Sequence, residues 1–176
     1  MLTGKRLHCT NEANEYQLTL SQGVRMVMRL YNDGIAFRYE TLPGEEQTAY
    51  QIPQGTKRWL MKWTDSYEGF FPQTTEAQDG HWAYPVLIES ALGVYVLISE
   101  ANVNKGQCAS SLNSKGDIYR VSHDQFAAYH TPWRVAIIGT LADVVESTLV
   151  TDVSDPSRIE DTSWIHPGTV SWVYWA

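Results

Sequence analysis

Hydrophobic residues in this chain come in short runs interleaved with polar ones, and the repeat is two far more often than the 3.6 of a helix. The clearest case is VRMVMRLYNDGIAFRYE, residues 24–40, where two apolar-rich runs flank Asn32, Asp33 and Gly34. These residue types tolerate the positive φ that a tight hairpin turn demands. Residues 24–31 and 35–39 are therefore predicted to pair as antiparallel strands. In the second run Ile35, Phe37 and Tyr39 point one way and Ala36 and Arg38 the other, so one face packs inward and one meets water or another layer.

Similar runs recur as EYQLTL, RWLMKW, YPVLIE, GVYVLISE, IYRVS, FAAYH, WRVAIIG and STLVTDV, most of them rich in Val, Ile, Tyr or Trp. Gly, Pro, Asn or Ser bound them, which reads as strands rather than helices. Residues 85–89 and 93–98, joined by Ser90, Ala91 and Leu92, suggest a second hairpin. Only LADVVES, residues 141–147, has helical spacing, with Leu141, Val144 and Val145 on one side. Residues 41–47 and 74–81 read as polar loops, and residues 154–161 as a turn with a helical turn after Pro156. The expected fold is all-β, a β-sandwich with at most one or two short helices, whose functional groups sit on loops.

A chain of 176 residues is one domain of ordinary size. With 43% apolar and 19% charged residues it is not a disordered chain, and its surface is poor in charge. A net charge of -7 gives no footprint for nucleic acid or an anionic membrane, so neither is expected as a partner. No run approaches the roughly 20 apolar residues that span a bilayer, and the N-terminal residues lack the apolar centre of a signal peptide. As written, the sequence reads as cytoplasmic. Cys9 and Cys108 show no C-x-x-C spacing, which leaves two unrelated thiols or a single disulfide.

His123, Asp124 and His130 lie close in sequence, but there is no Gly-x-Ser-x-Gly elbow to accompany them, and no catalytic residue is assigned. His8, His81 and His166 lack the i, i+4 pairing of a helical metal site. More informative is RWLMKWTDSYEGFF, where Asp65 and Glu68 sit among Trp59, Trp63, Tyr67, Phe70 and Phe71. Aromatic faces stack on sugars, and carboxylates accept sugar hydroxyls or hold calcium, which prefers oxygen ligands. Trp59, Trp63 and Tyr67 are thus candidate stacking residues. One acidic loop supplies far fewer oxygens than the six or more that calcium takes.

Five collinear segments carry a resemblance: LYNDGIAFRYE (30–40), DSYEGFF (65–71), YVLISEA (95–101), TPWRVAIIG (131–139) and SWIHPGTVSW (163–172). Together they resemble glycoside hydrolase family 97, the α-glucosidases and α-galactosidases of gut Bacteroides-type bacteria. The resemblance implies a three-part enzyme: an N-terminal β-super-sandwich of galactose-mutarotase-like fold, a catalytic (β/α)8 barrel and a small C-terminal β domain. The segments match the later part of the sandwich only. Residues 1–162 are accordingly expected to form a partial N-terminal sandwich. Residues 163–176 would be a linker and first-strand remnant leading toward a barrel that the chain does not contain, which would explain its aromatic end, Trp164, Trp172, Tyr174 and Trp175. Val173 stands where members commonly have Asp.

In the family a glutamate of the N-terminal domain helps bind an active-site calcium ion, and Glu68 occupies the matching position. The remaining calcium ligands and the acid and base lie on the barrel, so the resemblance implies a chain that is inactive by itself and binds no calcium alone, the ion belonging to the full-length enzyme. The rival readings are a free-standing carbohydrate-binding sandwich and one subunit of a split glycosidase completed by a separately encoded barrel. Full-length relatives are expected to be periplasmic or secreted. Edge strands left open and the C-terminal aromatics point to a homo-oligomer, by a two-fold contact between copies.

Overall fold

The computed structural model describes residues 10–41, 44–123, 130–161, 163, 164, 166 and 168. Twelve strands form two fully antiparallel sheets among these residues. In chain order they are β1 (Asn14–Thr19), β2 (Arg25–Tyr31), β3 (Gly34–Thr41), β4 (Ala49–Gln51), β5 (Lys57–Trp59), β6 (Gln73–Thr74), β7 (Gly80–Ala83), β8 (Val86–Ala91), β9 (Val94–Ala101), β10 (Ser111–Lys115), β11 (Ile118–Ser122) and β12 (Trp133–Gly139). The larger sheet runs β1-β2-β3-β12-β9-β8-β5-β6 and the smaller β4-β11-β10-β7. Two helices, α1 (Leu141–Glu146) and α2 (Leu149–Asp152), follow β12. The β-sandwich expected from the period-two runs is thus the fold observed.

Both hairpins read from the sequence are present. Gly34 closes the first, with Leu30 opposite Ile35 and Tyr31 opposite Gly34. The second joins β8 to β9 around Gly93, one residue later than expected. Register then sorts the side chains of the large sheet. Ala36 lies opposite Val135 and Val135 opposite Ser99, so Val27, Ala36, Trp133, Val135 and Ile137 share one face. That face is covered by Val144 of α1, Leu149 of α2 and Val153. The other face carries Val86, Ile88 and Ile98, which meet Ile52, Trp82, Leu112, Tyr119 and Val121 of the smaller sheet and its flanks. Burial of these two apolar layers is the main favourable term holding the sandwich together.

The fully buried Arg58 is satisfied by polar partners. Arg58 donates to the carbonyls of Ile52, Pro53 and Thr56 and to the Tyr119 hydroxyl, so its cation rests on backbone dipoles. Arg29 and Arg38 lie 4.6 and 4.7 Å from the centre of the buried Trp133 ring, cation–π contacts on the helix-covered face. Helix α1 is closed at its start by a reciprocal capping box between Thr140 and Asp143.

Several local expectations are corrected. Residues 147–153 were expected as a strand but contain α2: Leu149 and Val153, spaced by four, both turn onto the sheet, and a helix there needs no strand partner. No helical turn follows Pro156. Of RWLMKW only the first residues are strand, and the polar segments 73–74, 80–83 and 111–115, not expected as strands, are β6, β7 and β10. Of FAAYH, residues 126–129 lie outside the described residues, as do Cys9, Asp124, Trp172, Val173, Tyr174 and Trp175.

Candidate functional site

The segment that follows β5 leaves the large sheet and lies against the small one. Ala83 donates its N–H to the Met61 carbonyl at 2.9 Å, Lys62 bridges to Trp82, and Trp63 donates to the His81 carbonyl at 2.9 Å. The chain then turns sharply. Tyr67 donates to the Thr64 carbonyl at 3.1 Å and takes φ of 55°, a left-handed conformation that a bulky residue adopts only when its surroundings fix it. The Glu68 N–H is held by the Ser66 hydroxyl at 3.3 Å.

Five contacts hold this turn in place. The Tyr67 ring meets Trp63 edge-on at 4.8 Å, and Trp63 stacks on His81 at 5.2 Å. His81 Nε2 in turn shares a 2.6 Å hydrogen bond with the Ser111 hydroxyl of β10. Gly69 packs on Met61 so closely that an added Cβ would lie 3.0 Å from its Cγ and Sδ. The Leu60 N–H, 3.4 Å from the Pro72 carbonyl, ties the far end.

What this frame presents is a small exposed tip. Phe70 is 93% exposed, Tyr67 43% and Phe71 40%, and the carboxylates of Asp65 and Glu68 face water beside them. Glu68 makes no side-chain hydrogen bond or ion pair among the described residues. A cleft of about 490 Å³ opens beside the tip, lined by Leu60, Met61, Lys62, Phe70, Gln78 and Trp82. The Tyr67 hydroxyl is pushed up from its ordinary value, first by partial burial and then by the Glu100 carboxylate.

The candidate stacking residues do not form one platform. Trp63 and Tyr67 are together at the tip, but Trp59 lies opposite Leu87 in the large sheet and contacts Tyr95 at 6.2 Å, with its rings tilted. His81, read as a polar-loop residue, is instead a strand residue that buttresses the turn. The sequence reasoning passed over Phe70 and Gly69 as site-shaping residues, and the Gly-Phe-Phe string was the available signal. His123 sits 3.8 Å from Glu46, a carboxylate already engaged by Arg134, and is not placed to activate a nucleophile there.

Calcium takes six to eight oxygens. No group of three or more His, Cys, Asp or Glu side chains able to hold a metal occurs among the described residues. The residues at the tip fit a metal only as a single carboxylate ligand contributed to a site completed from elsewhere. An exposed carboxylate on a fixed turn suits that part.

Both the sequence and the fold have counterparts among known proteins. The sequence matches the family described as "Glycosyl-hydrolase 97 N-terminal" over residues 1–156. It is 32% identical over 167 residues to a "Probable retaining alpha-galactosidase" of Streptomyces bingchenggensis (strain BCW-1), covering 86% of this chain and 26% of that protein. A "Retaining alpha-galactosidase" of Bacteroides thetaiotaomicron is 42% identical over 45 residues, 25% of this chain and 7% of that one. Among solved structures, a beta-arabinopyranosidase superposes with TM-score 0.67 at 26% identity, over 82% of this chain and 30% of its own. A Glycoside Hydrolase Family 97 enzyme from Pseudoalteromonas sp. strain K8, in complex with acarbose, gives TM-score 0.70 at 18% identity over 89% of this chain and 31% of its own, a likeness of fold. The chain thus spans between a quarter and a third of the glycosidases it matches over most of its length. It belongs to the N-terminal domain family of the family 97 glycosyl hydrolases.

Proposed function

We propose that the chain serves as the non-catalytic N-terminal domain of a calcium-dependent glycosidase of family 97, acting on α-galactosides, where it braces the catalytic barrel and lends it Glu68. The observation that carries this reading is the tip itself. A carboxylate with no side-chain partner among the described residues stands on a turn fixed by Trp63, His81 and Gly69, next to a phenylalanine that is 93% exposed. Such a phenylalanine gains by burial against a second body, and a fixed carboxylate beside it loses little entropy on taking a ligand. Bound calcium would supply a fixed positive charge for carboxylate and hydroxyl oxygens. Glu68 would orient one oxygen pair toward it, and Phe70 would exclude water from the junction. The preference for α-galactosides over α-glucosides rests on the descriptions of the two curated relatives.

The test is a chimaera in which residues 1–156 replace the matching segment of the Streptomyces relative. An active chimaera whose calcium requirement rises at least about tenfold on Glu68→Gln supports the reading. A chimaera equally active and equally calcium-dependent with and without Glu68 overturns it.

A further inference from the structure

One residue before Glu68 the backbone is strained. Tyr67 takes φ of 55°, a region that residues other than Gly, Asn and Asp rarely enter, and a bulky side chain stays there only where its contacts over-determine it. Those contacts run in one line. The Tyr67 ring meets Trp63 edge-on at 4.8 Å, the Trp63 ring lies at 24° to the His81 ring, and His81 Nε2 shares a 2.6 Å hydrogen bond with the hydroxyl of Ser111, a buried residue of β10. Ser111 also donates to the Ser122 carbonyl of β11 at 3.3 Å. Its neighbour Ser110 gives its N–H to Glu100 at 2.7 Å, and the Ser110 hydroxyl accepts from the buried Arg134 at 2.9 Å. The line therefore begins on a rigid buried cluster and ends on an exposed tip. Rotation about the Tyr67 backbone swings the Glu68 carboxylate, which is carried by the next residue.

We propose that His81 is a positioning residue for Glu68, acting through Trp63 and Tyr67: its ring, tied to Ser111, props Trp63 against Tyr67 and so holds the left-handed turn that aims the carboxylate. This role rests on Glu68 serving as a calcium ligand and adds what sets its geometry. A ligand held within a fraction of an ångström loses little entropy on binding, whereas one on a relaxed turn must be ordered each time the ion binds. Trp63 and Tyr67 accordingly serve each other rather than a sugar, since the His81 ring already covers one face of Trp63. The Trp63 N–H is bonded to the His81 carbonyl at 2.9 Å, a contact that survives when the imidazole is removed. His81→Ala thus takes away the prop and leaves the backbone tie in place.

Two measurements test it. In the full 176-residue chain a glutamyl endopeptidase reads the turn without calcium, because Glu68 and Gly69 are exposed and cleavage needs a backbone free to open. His81→Ala, outside the stretch the protease recognises, is expected to speed cleavage after Glu68 at least about tenfold and to leave cleavage after the exposed Glu160 unchanged. In the chimaera with the Streptomyces relative, His81→Ala should raise the calcium requirement at least about fivefold and add nothing to Glu68→Gln, since it acts only through that carboxylate. Ser111→Ala, which removes the hydrogen bond alone, should act in the same direction by at least about threefold and carries the test if His81→Ala fails to fold by circular dichroism. Cleavage after Glu68 that is unchanged, or accelerated equally after Glu160, overturns the proposal. So does a calcium requirement that Glu68→Gln raises and His81→Ala does not, or raises additively, and either result leaves Glu68 as a ligand. A requirement indifferent to Glu68→Gln removes the ligand reading and this role with it.

Discussion

Arg134 of β12 grips Glu46 through two nitrogens, Nε to Oε1 at 2.8 Å and Nη2 to Oε2 at 2.5 Å, with both side chains fully buried. Its remaining donor reaches Glu100 at 2.7 Å and the Ser110 hydroxyl at 2.9 Å, so one guanidinium ties the large sheet to the segments leading into β4 and β10. Burial pulls the arginine toward neutrality, but the hydrogen bond and charge of Glu46 outweigh it, and the group is held above its ordinary value. Arg134→Met strands Glu46 without a counter-charge and is expected to cost about 3–5 kcal/mol in urea unfolding. Arg134→Met combined with Glu46→Leu should recover most of that loss, because the buried charge goes with its partner. A double variant no better than the single one would show that Glu46 has another role.

Gly34 tests how tightly the first hairpin is pressed onto β12. A Cβ there would overlap the Ala136 carbonyl oxygen and touch Leu149 at 3.0 Å. Gly34→Ala is expected to cost about 2–3 kcal/mol, as overpacking against backbone does, and to lower Tm by roughly 4–10 °C. Gly93, at φ of 75° with open space around its Cβ position, is the control. Gly93→Ala carries only the left-handed strain, about 1 kcal/mol. Equal losses at the two sites would refute the steric account.

Acid should weaken the fold through a few surface carboxylates. The hydrogen bond from Arg29, helped by Gln17, holds the Glu15 carboxyl below its ordinary value, and the Thr140 hydroxyl and N–H do the same for Asp143. A group depressed in the folded state contributes stability above its unfolded value, and that contribution is lost as pH falls through the folded one. Tm is therefore expected to be flat above about pH 5 and to decline below about pH 4.5. Arg29→Gln should make that decline shallower, since Glu15 then titrates at nearly the same pH in both states. Thr140→Ala removes the helix cap as well and should cost about 1 kcal/mol at neutral pH.

The isolated chain is expected to turn over neither nitrophenyl α-galactoside nor α-glucoside, with or without calcium. Glycoside hydrolysis needs two carboxyl groups flanking one bond, and Glu68 stands on its turn with only Asp65 close in sequence. Calorimetry should show no sub-micromolar calcium binding, and none of maltose, galactose or melibiose should bind more tightly than the millimolar range, since Trp59 faces away from Trp63 and Tyr67. Calcium binding that disappears in Glu68→Ala would mean that a complete local site exists.

How much of this protein was legible in its sequence depends on how local the cause is. Asn32 and Asp33 mark the first hairpin because a preference for turns belongs to the residues themselves, although neither takes a positive φ there, and Thr140 with Asp143 starts α1 through bonds three residues apart. The string DSYEGFF, with its collinear companions, was enough to place the chain in its family. Period two also told which residues of β3 share a face. It could not tell which face would be covered: Ala36, on the shorter-looking side, is fully buried under α2, while Phe37 and Tyr39 line the open one. Likewise β10, whose residues were not expected as a strand, is one because β7 and β11 supply its hydrogen bonds, and residues 149–152 coil because Leu149 and Val153 must both reach Trp133's layer. Trp59 and Trp63, four apart in sequence, part company because the chain changes sheets between them. Local backbone preferences are written in neighbouring residues, whereas the choice of covered face, sheet and partner is made by contacts between distant segments, whose burial outweighs those preferences only once the sandwich has closed.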